Sequence, residues 1–387
     1  MTTVSAIAEC DVLIVGAGIV GLAHAAEAQR RGLTVLIIDR DSRAVGASVQ
    51  NFGHCCITAQ SGDLLELAHV ARERWLHFSE VAGFWSTTSG ALAVARSGEE
   101  LAVLDELSAS RERGEVELVG ASGALQLLSR DDGDAPSGGP RILGGALLRD
   151  DVRVDPREAV GTLAGWLGAQ PGVTVWWRTS YLGSSGDGDD RLVRTSRGAV
   201  RAARTIVCAG HNLDYLYPDV AAEFAIERCG LQMALIEAPG GRRISPAVLT
   251  GTSMLRYPAF SETAAAGELR STMLSEHGDL VSIGANVMFT QRPDGSIIAG
   301  DSHVYDQTLD AFTTEATSEL LLRSVGEVLG VDEVRVVERW QGVYASSSRQ
   351  PYLAVEVAPN VTAVSITSGV GMTISFGVAV RTLDDLV

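Results

Sequence analysis

Residues 11–21 read Asp11-Val-Leu-Ile-Val-Gly16-Ala-Gly18-Ile-Val-Gly21, and residues 34–39 read Thr34-Val-Leu-Ile-Ile-Asp39. An apolar run typical of a β-strand ends in glycines, a helical stretch follows, and a second apolar run ends in an acid. This order predicts a βαβ unit that binds a dinucleotide. Since the chain contains 42 glycines, the triplet alone is a weak signal. The strand, the helix and the later acid together outweigh the alternative of a βαβ turn without a ligand.

Each residue of this fingerprint has a physical role. Gly16 permits the tight turn, Gly18 lets the backbone approach a pyrophosphate at the positive helix N-terminus, and Gly21 lets the helix pack closely on the strand. Asp39 is placed to accept a hydrogen bond from a ribose hydroxyl, and its charge would repel the 2′-phosphate of NADP. The predicted cofactor-binding residues of this unit are Gly16, Gly18, Ile19, Val20, Gly21, Asp39 and Arg40.

Length and composition indicate a soluble globular protein. A chain of 387 residues can bury a large core, and we expect two domains. The net charge of −17 argues against a nucleic-acid surface. No apolar run approaches the roughly 18–20 residues that cross a membrane, and residues 1–10 lack the pattern of a signal peptide. We therefore expect a cytoplasmic protein with neither a nucleic-acid nor a membrane partner.

The cysteine and lysine contents narrow the possible chemistry. The cysteines are odd in number and show no paired Cys-x-x-Cys spacing, which favours a reducing compartment and argues against a structural zinc site or another metal. The chain contains no lysine, so every basic side chain is arginine or histidine. This excludes a lysine Schiff base and a lysine that activates oxygen. The five cysteines are Cys10, Cys55, Cys56, Cys208 and Cys229.

The rest of the sequence predicts alternating helices and strands. Helices are expected over 61–81, 99–119, 156–169 and 309–329, with Asp155 as the N-cap of the third. Strands are expected over 89–94, 173–177, 205–211 and 334–337. Between 227 and 300, short alternating segments such as 231–236 and 280–289 are separated by glycine turns, which is typical of an antiparallel sheet in a second domain. Loops are expected over 131–140 and 183–190.

Three strand ends rich in small residues stand out, at 16–21, 208–210 and 369–373. A nicotinamide domain needs only the first. A flavin domain uses all three, because FAD lies extended over the strand ends and its ring meets a late segment of the chain. In this respect the sequence resembles the FAD-dependent amine oxidoreductases of the D-amino-acid oxidase, glycine oxidase and sarcosine oxidase family. The resemblance covers essentially the full length and rests on Gly16–Asp39, Gly46–Ser48, Val154–Pro156, Ile206–Gly210, Gly230–Gln232, Pro293–Gly295, Trp340–Gly342 and Gly369–Met372.

The resemblance implies an α/β fold with two domains and noncovalent FAD. A Rossmann-like FAD-binding domain of the glutathione-reductase type is expected over 8–75, 152–212 and 336–387. An antiparallel-sheet α+β substrate domain is expected over 76–151 and 213–335. The further implied cofactor-binding residues are Ser48, Asn51, Gly53, His54, Cys208, Ala209, Gly210, Trp340, Gly342, Gly369, Val370, Gly371, Met372 and Thr373.

The implied chemistry is hydride transfer from the carbon beside an amine to flavin N5. The resulting imine is hydrolysed by water, and molecular oxygen accepts the electrons and forms H2O2. A helix N-terminus at Gly369–Met372, aimed at the pyrimidine end of the flavin, would stabilise the negative charge that develops on reduction. The alternative for this segment is a plain loop between a strand and a helix.

One departure from the family bears on the substrate. Glycine oxidase-like members place an arginine after Trp-x-Gly to hold the substrate carboxylate, whereas Tyr344 occupies that position here. Either another arginine takes over, with Arg349 and Arg339 nearest in sequence, or the substrate is not a simple α-amino acid. The segments 48–53, 291–295 and 300–303 resemble a branch associated with aminophosphonate breakdown. An aminoalkylphosphonate or its N-methyl derivative is therefore a candidate substrate.

Two histidines are candidate site residues beside Tyr344 and Arg349. His54 follows the cofactor loop, where it would make a polar contact with the flavin. A covalent bond to the flavin, from His54, Cys55 or Cys56, is the less simple alternative. His303 lies in the substrate region and is a candidate for the positive group that helps oxygen react. A structural hydrogen bond is the alternative for His303, and small buried packing is the alternative for the two cysteines.

Three competing functions remain open. A dehydrogenase would pass the electrons to a quinone or a protein rather than to oxygen. An FAD-dependent monooxygenase is suggested by Gly300-Asp301, which mimics a ribose-binding motif, but the glycine loop comes only at Gly369. A catalytically silent flavin-binding protein is the third alternative. The sequence makes no prediction of oligomeric state.

Overall fold

A computed structural model describes residues 5–130, 141–185 and 192–386. These residues form twenty β-strands: β1 (Ala6–Val15), β2 (Val35–Ile38), β3 (His54–Cys55), β4 (Ser86–Thr87), β5 (Ala91–Ala95), β6 (Val116–Gly120), β7 (Gly144–Leu148), β8 (Val152–Val154), β9 (Val173–Trp176), β10 (Tyr181–Ser185), β11 (Leu192–Thr195), β12 (Gly198–Val207), β13 (Ile226–Ile236), β14 (Ala247–Leu249), β15 (Met288–Gln291), β16 (Ile297–Gly300), β17 (Val304–Asp306), β18 (Val336–Ser347), β19 (Tyr352–Ala358) and β20 (Val361–Ile366).

The same described ranges contain thirteen α-helices: α1 (Ile19–Arg30), α2 (Gly62–Ala82), α3 (Gly98–Ser110), α4 (Ala121–Leu127), α5 (Pro156–Gly168), α6 (Leu213–Leu216), α7 (Pro218–Glu223), α8 (Gly251–Met254), α9 (Pro258–Ser261), α10 (Ala266–Glu276), α11 (Gly278–Ser282), α12 (Glu315–Leu329) and α13 (Gly371–Leu386). Within these ranges, no helix combines the length and apolar character that crossing a membrane would require.

The first sheet has eight strands around a parallel core. Strand β1 lies between β2 and β12, with β9 beyond β2, and β20 pairs with β12; all of these pairings are parallel. Strands β10, β11 and β19 add antiparallel pairs. Parallel strands need covered faces, which agrees with the apolar runs that predicted β1 and β2. The sheet has the arrangement expected of a Rossmann-like FAD-binding domain.

The turn between β1 and α1 depends on two glycines. Gly16 has a φ of +107°, and a Cβ there would lie 2.4 Å from the carbonyl oxygen of Cys208. A Cβ on Gly21 would lie 1.9 Å from the carbonyl oxygen of Gly16. Neither position has room for a side chain, so the glycines allow β1, α1 and the end of β12 to meet at one edge.

Helices α1 and α5 pack beside this sheet, α13 packs against α1, and α2 packs against α13 and α5. A Cβ on Gly377 of α13 would lie 2.2 Å from the carbonyl oxygen of Leu67 in α2, so the two helices cross in close contact. The buried indole N–H of Trp75 donates to the carbonyl oxygen of Met372 at 2.7 Å. These contacts fix the N-terminal turn of α13 relative to the strand ends.

The second sheet has nine strands and is almost entirely antiparallel. Its path is β17-β13-β16-β15-β14-β5-β7-β6, and β18 pairs with β13 along Ile226–Ile236; only β14 and β5 run parallel among its described pairs. Helix α12 covers part of it, beside β13 and β16. A small three-stranded sheet, β3-β8-β4, completes the described architecture. The predicted α/β fold with an antiparallel substrate sheet is confirmed; the exact domain boundaries stay a prediction.

Several predicted elements differ in extent. The helix expected over 99–119 ends at Ser110 in the structure, because a turn with Gly114 at a φ of +101° separates it from β6. The segment 280–289 begins as helix α11 and becomes strand β15 only at Met288, and helices α8 to α10 precede it. The helix expected from 309 begins at Glu315, and the strand expected over 334–337 extends to Ser347. The predicted loop 131–140 and most of the turn 183–190 lie outside the described residues.

Candidate active site

An elongated cavity of about 480 Å³ is lined by residues of both large sheets. One end lies at the carboxyl ends of β1, β2 and β12, where ligands bind in open parallel sheets. The other end reaches β18 and the loops that carry Arg256 and Asp301. The lining includes these sequence-predicted residues: Gly16, Gly18, Ile19, Val20, Asp39, Arg40, Ser48, Asn51, Cys208, Ala209, Gly210, His303, Gly342, Tyr344, Gly369, Gly371 and Met372.

Asp39 follows β2 and lies between the glycine loop and the next turn. The backbone N–H of Ala17 donates to its Oδ2 at 2.7 Å, and that of Asp41 donates to its Oδ1 at 2.8 Å. These hydrogen bonds fix the carboxylate at the cavity wall. A carboxylate oxygen has two lone pairs, so each oxygen retains acceptor capacity for a ribose hydroxyl.

The N-terminus of α1 lies at the cavity wall. The N–H of Ile19 donates to the Ser48 hydroxyl at 2.9 Å, and a Cβ on Gly18 would lie only 3.0 Å from the same oxygen. The first turn of a helix carries unpaired N–H groups and a partial positive charge, which favour a phosphate. The glycine keeps this end open.

At the opposite end, Arg256 contacts two phenols. Its Nη2 donates to the Tyr344 hydroxyl at 3.0 Å and to the Tyr305 hydroxyl at 3.3 Å. Tyr344 comes from β18, Tyr305 from β17, and Arg256 from the connection between α8 and α9. The second sheet brings these three elements together because β17 and β18 both pair with β13.

Arg256 has no carboxylate within 4.0 Å among the residues that the structure describes. Burial disfavours its charged form, but the neighbouring phenols and Asp301 outweigh this effect and raise the pKa of the guanidinium. Arg256 is therefore a permanent cation at the cavity wall, with phenol groups rather than an acid as its hydrogen-bond partners. Such a group is suited to bind an anion.

Asp301 and His303 follow β16 and also line this end. Burial raises the pKa of the Asp301 carboxyl to about 7, although the Arg256 charge opposes this. Burial lowers the pKa of His303 to about 3, with a further contribution from Arg256. The Nδ1 of His303 lies 2.8 Å from the carbonyl oxygen of Gly284. His303 is therefore neutral near pH 7 and does not supply the positive group that the sequence suggested; Arg256 is the cation at this end.

A second cavity of about 570 Å³ adjoins the first. Arg256, Tyr257, Tyr344 and Ser368 line both cavities. The Arg256–Tyr344 pair thus lies between an inner space and a more open outer one.

The sequence profile of the FAD dependent oxidoreductases (DAO) matches residues 11–384, almost the whole chain. The chain belongs to this family. Membership confirms FAD as the cofactor and confirms the predicted enzyme class, an FAD-dependent amine oxidoreductase, at the level of the family. A comparison of the sequence with curated proteins gives no significant match.

Solved structures with the same fold include three amino-acid enzymes. Glycine oxidase from Geobacillus kaustophilus is 17% identical, with a TM-score of 0.75 over 98% of this chain and 95% of that one. L-proline dehydrogenase from P. horikoshii is 17% identical, with a TM-score of 0.76 over 98% and 93%. L-amino acid deaminase from Proteus vulgaris is 18% identical, with a TM-score of 0.74 over 99% and 95%. At these identities the likeness supports the fold alone.

The residues of the cavity fit the FAD of this family. A Cβ at Gly16 would overlap backbone, Gly18 keeps the N-terminus of α1 open, and Asp39 stands at the end of β2. The N-terminus of α13, at Gly371 and Met372, lines the same cavity from its other end. The cavity therefore offers an acceptor for a ribose, a helix N-terminus for a pyrophosphate and a second helix N-terminus for the flavin ring.

Some predicted cofactor residues do not line the cavity but hold its walls. Gly21 and Gly53 allow close backbone contacts; a Cβ on Gly53 would lie 2.0 Å from the carbonyl oxygen of Val154. The Trp340 indole donates to the Gln50 carbonyl oxygen at 3.1 Å. The Thr373 hydroxyl accepts the N–H of Cys56 at 3.0 Å. Val370 faces the outer cavity instead.

His54 is buried and absent from the cavity lining. Its Nε2 lies 2.8 Å from Oδ2 of Asp151, whose Oδ1 accepts the N–H of Thr58 at 2.8 Å. The ligand atoms of His54, Cys56 and Asp151 lie within 4.8 Å of one another. Both oxygens of Asp151 already have protein partners, so we interpret the group as a hydrogen-bonded support. Burial raises the thiol pKa values of Cys55 and Cys56, which keeps them protonated.

The two arginines nearest in sequence to Tyr344 do not line the inner cavity. Arg349 is exposed and donates to the carbonyl oxygen of Glu223, and it borders only the outer cavity. Arg339 is exposed and donates to Glu315 at 2.7 Å. Sequence reasoning missed Arg256, whose only local signal is its place in Leu255-Arg256-Tyr257-Pro258, a charged residue among apolar ones.

Proposed function

We propose that this family member oxidises the C–N bond of a small amine that carries an anionic group. The observation that carries the proposal is Arg256, a permanent cation at the cavity wall without a carboxylate within 4.0 Å among the described residues. A positive charge held this way is stabilised when an anion binds beside it. The anionic part of the substrate would therefore lie at Arg256.

The two phenols extend this anion site. The Tyr344 and Tyr305 hydroxyls accept hydrogen bonds from Arg256 and also interact with the Cys229 thiol, a weak acceptor that an anion oxygen would replace as the partner of each O–H. The inner cavity thus presents guanidinium N–H groups and the Tyr344 O–H, while the Tyr305 O–H lies on the side of the outer cavity. A phosphonate has three oxygens that can accept such donors, which supports an aminoalkylphosphonate or its N-methyl derivative as the substrate.

A simple α-amino acid is the second candidate. Arg256 supplies a guanidinium in the same cavity as Tyr344, so the loss of arginine at 344 does not leave a carboxylate without an anchor. The amino-acid enzymes with the same fold are consistent with this alternative. The two candidates differ in the number of acceptor oxygens and in the distance between amine and anion.

FAD, held by the glycine loop, Asp39 and the N-terminus of α13, would supply an acceptor for a hydride from the carbon beside the amine. The chain's own residues position the substrate and its surroundings. Arg256 and the phenols hold the anion, and the N-terminus of α13 places its unpaired N–H groups where negative charge would develop. Met372 and Leu231 add buried apolar side chains to the lining of the inner cavity.

We further propose molecular oxygen as the electron acceptor and the cytoplasm as the location. Arg256 is the permanent positive charge at the substrate end, which supports oxygen as the acceptor. All five cysteines are free thiols, which supports a reducing compartment.

A monooxygenase is disfavoured, because Gly300-Asp301 ends a strand of the second sheet rather than a strand at the nucleotide end.

The test is anaerobic reduction of the flavin by a panel of amines. The panel contains glycine, sarcosine, D-alanine, 2-aminoethylphosphonate and its N-methyl form. We expect rapid bleaching with at least one phosphonate and slow bleaching with ethylamine, an amine that lacks the anionic group. Rapid reduction by glycine or D-alanine with inert phosphonates would favour the second candidate. Equal rates with ethylamine would contradict an anion-binding site altogether. Formation of one H2O2 per oxidised amine would identify oxygen as the acceptor.

A further inference from the structure

Asp301 is a buried carboxyl group at the substrate end of the cavity. Its backbone is held by two hydrogen bonds to Asn286, at 2.8 and 2.9 Å, which place the residue firmly after β16. The residue is only 3% exposed, yet it lines the same cavity as Arg256 and Tyr344. Its Oδ1 has no hydrogen-bond partner among the described residues.

No permanent cation lies within 4.0 Å of this carboxylate in the described parts of the chain. The ionisable group within that distance is the His303 ring, whose Nε2 lies 3.9 Å from Oδ2 of Asp301, and that ring is neutral. An ionised carboxylate buried without a paired cation is unfavourable. A cation that enters the cavity would supply the missing partner. The proposed substrate carries such a group, because small amines are protonated near neutral pH.

We propose that Asp301 binds the ammonium group of the substrate and accepts a proton from it before oxidation. This inference rests on the proposed function, since it assigns the amine end of the same substrate whose anion lies at Arg256. In the step, an N–H bond breaks, the proton passes to a carboxylate oxygen, and the electron pair stays on nitrogen. Ammonium and carboxylate thus become amine and carboxylic acid, and the nitrogen lone pair becomes available to form the C=N bond.

Among the titratable groups around Asp301, we expect only the Asp301 carboxyl to change its charge near pH 7. Arg256 stays protonated, and His303, with its pKa of about 3, stays neutral. Burial raises the pKa of the Cys229 thiol to about 11 and also raises that of the Tyr257 phenol, so both stay protonated. The carboxyl pKa of about 7 suits a group that must both receive and release a proton at neutral pH.

The test compares two ligands on the anaerobically reduced holoenzyme, in which no amine is consumed. 2-Aminoethylphosphonate and ethylphosphonate differ only in the amine, so the change in their affinity ratio between wild type and a variant, measured at one pH, reports on that group. Calorimetry at pH 8 should show that wild type prefers the amine ligand. In Asp301→Asn this preference should fall at least tenfold, while the affinity for ethylphosphonate stays within a factor of about two to three. Arg256→Met should weaken both ligands instead.

Each result decides between the claims. An unchanged preference in Asp301→Asn overturns the role of Asp301 while leaving the anion site intact. If wild type binds neither ligand, the proposed substrate class is wrong and the role of Asp301 falls with it. Should Asp301→Asn fail to fold, the wild type still gives an answer with taurine and ethanesulfonate, whose sulfonates stay ionised throughout: the preference for the amine ligand should decline between pH 8 and pH 5.5, as the carboxyl is protonated. A preference that does not change with pH would overturn the inference.

Discussion

The two ends of the cavity are built in different ways. The nucleotide end consists of backbone: glycines at strand ends, helix N-termini, and one acid that follows β2. The substrate end is lined by side chains from separate elements, Arg256, Asp301 and Tyr344, which meet only in the folded protein; Tyr305 contacts Arg256 from the outer cavity. A cofactor shared by many enzymes needs a standard cradle, whereas the substrate needs an arrangement of charges particular to one chemistry.

The largest effect should follow from filling the nucleotide end. Gly16→Ala places a Cβ 2.4 Å from the Cys208 carbonyl oxygen at a φ of +107°, so the loop must move. We expect loss of bound FAD, measured as the ratio of flavin to protein absorbance after purification. Gly161→Ala is the matched control, because it lies in α5 with no atom within 4 Å of the new Cβ. Full flavin content in Gly16→Ala would show that the glycine loop does not hold the cofactor.

At the substrate end, Arg256→Met should keep FAD but lose activity. Removing the guanidinium takes away charge-assisted hydrogen bonds to the anion, which corresponds to a decrease in kcat/KM of about 10²-fold or more for the reducing amine. Steady-state kinetics with the best substrate of the panel measures it. Arg339→Met, an exposed arginine paired with Glu315, should behave like wild type. Equal activity of the two variants would show that Arg256 does not bind the substrate.

The buried Asp301 carboxylate should lower the free energy of unfolding at alkaline pH. Its pKa is raised from 3.8 to about 7, so its favourable contribution to folding is complete below pH 3.8 and is lost as the pH rises through 7. Asp301→Asn should therefore raise the free energy of unfolding at pH 8, by about 1–3 kcal/mol, with a smaller gain at pH 5. Denaturant unfolding at the two pH values checks this.

Asp294→Asn is the control for that comparison. The pKa of Asp294 is lowered, with hydrogen bonds from Ser296 and the Arg292 charge outweighing burial, so its stabilising contribution is present above pH 3.8 and is lost as the pH falls. This variant should lose a little stability at pH 8. A loss of stability at pH 8 in Asp301→Asn as well would mean that the native carboxylate is well paired.

The smallest change should come from Tyr344→Phe. The variant keeps the ring that packs beside Gly369 but removes one donor of the anion site and one partner of Arg256. We expect KM for the anionic amine to rise about 10-fold with little change in kcat, which is the lower end for one hydrogen bond to a charged group. Tyr352→Phe, whose hydroxyl contacts Arg381 and Asp63 away from the cavity, should not alter KM.

The same contrast explains what the sequence could predict. The nucleotide end was predictable because its signals are local: an apolar strand, a glycine spacing and an acid lie within residues 11–39. The cap at Asp155, whose side chain accepts the N–H of Arg157, and the start of α13 are local in the same sense. Family membership agrees with these predictions.

The substrate end was predictable only in part. Tyr344 and His303 stand beside recognisable motifs, but Arg256 lies 88 residues from Tyr344 and meets it through pairing of β13 with β18. The sequence predicts antiparallel sheet over the segment that contains Arg256. The structure has the helices α8 to α11 there, and their apolar residues show no clear period. His54 was placed at the cofactor by its position in sequence, but its side chain turns to Asp151. Neither the pairing of strands that are distant in sequence nor the direction of a side chain can be predicted from a local sequence pattern.

The absence of lysine has a consequence for an enzyme of this kind. Oxidation of a primary amine carbon followed by hydrolysis releases an aldehyde, and aldehydes condense with unprotonated lysine side chains. The cations of the cavity wall are arginines, Arg40 and Arg256, and the whole chain carries no side-chain primary amine. A guanidinium that stays protonated is a poor partner in that condensation. With the proposed substrate, the released aldehyde would find no lysine side chain on the protein to modify.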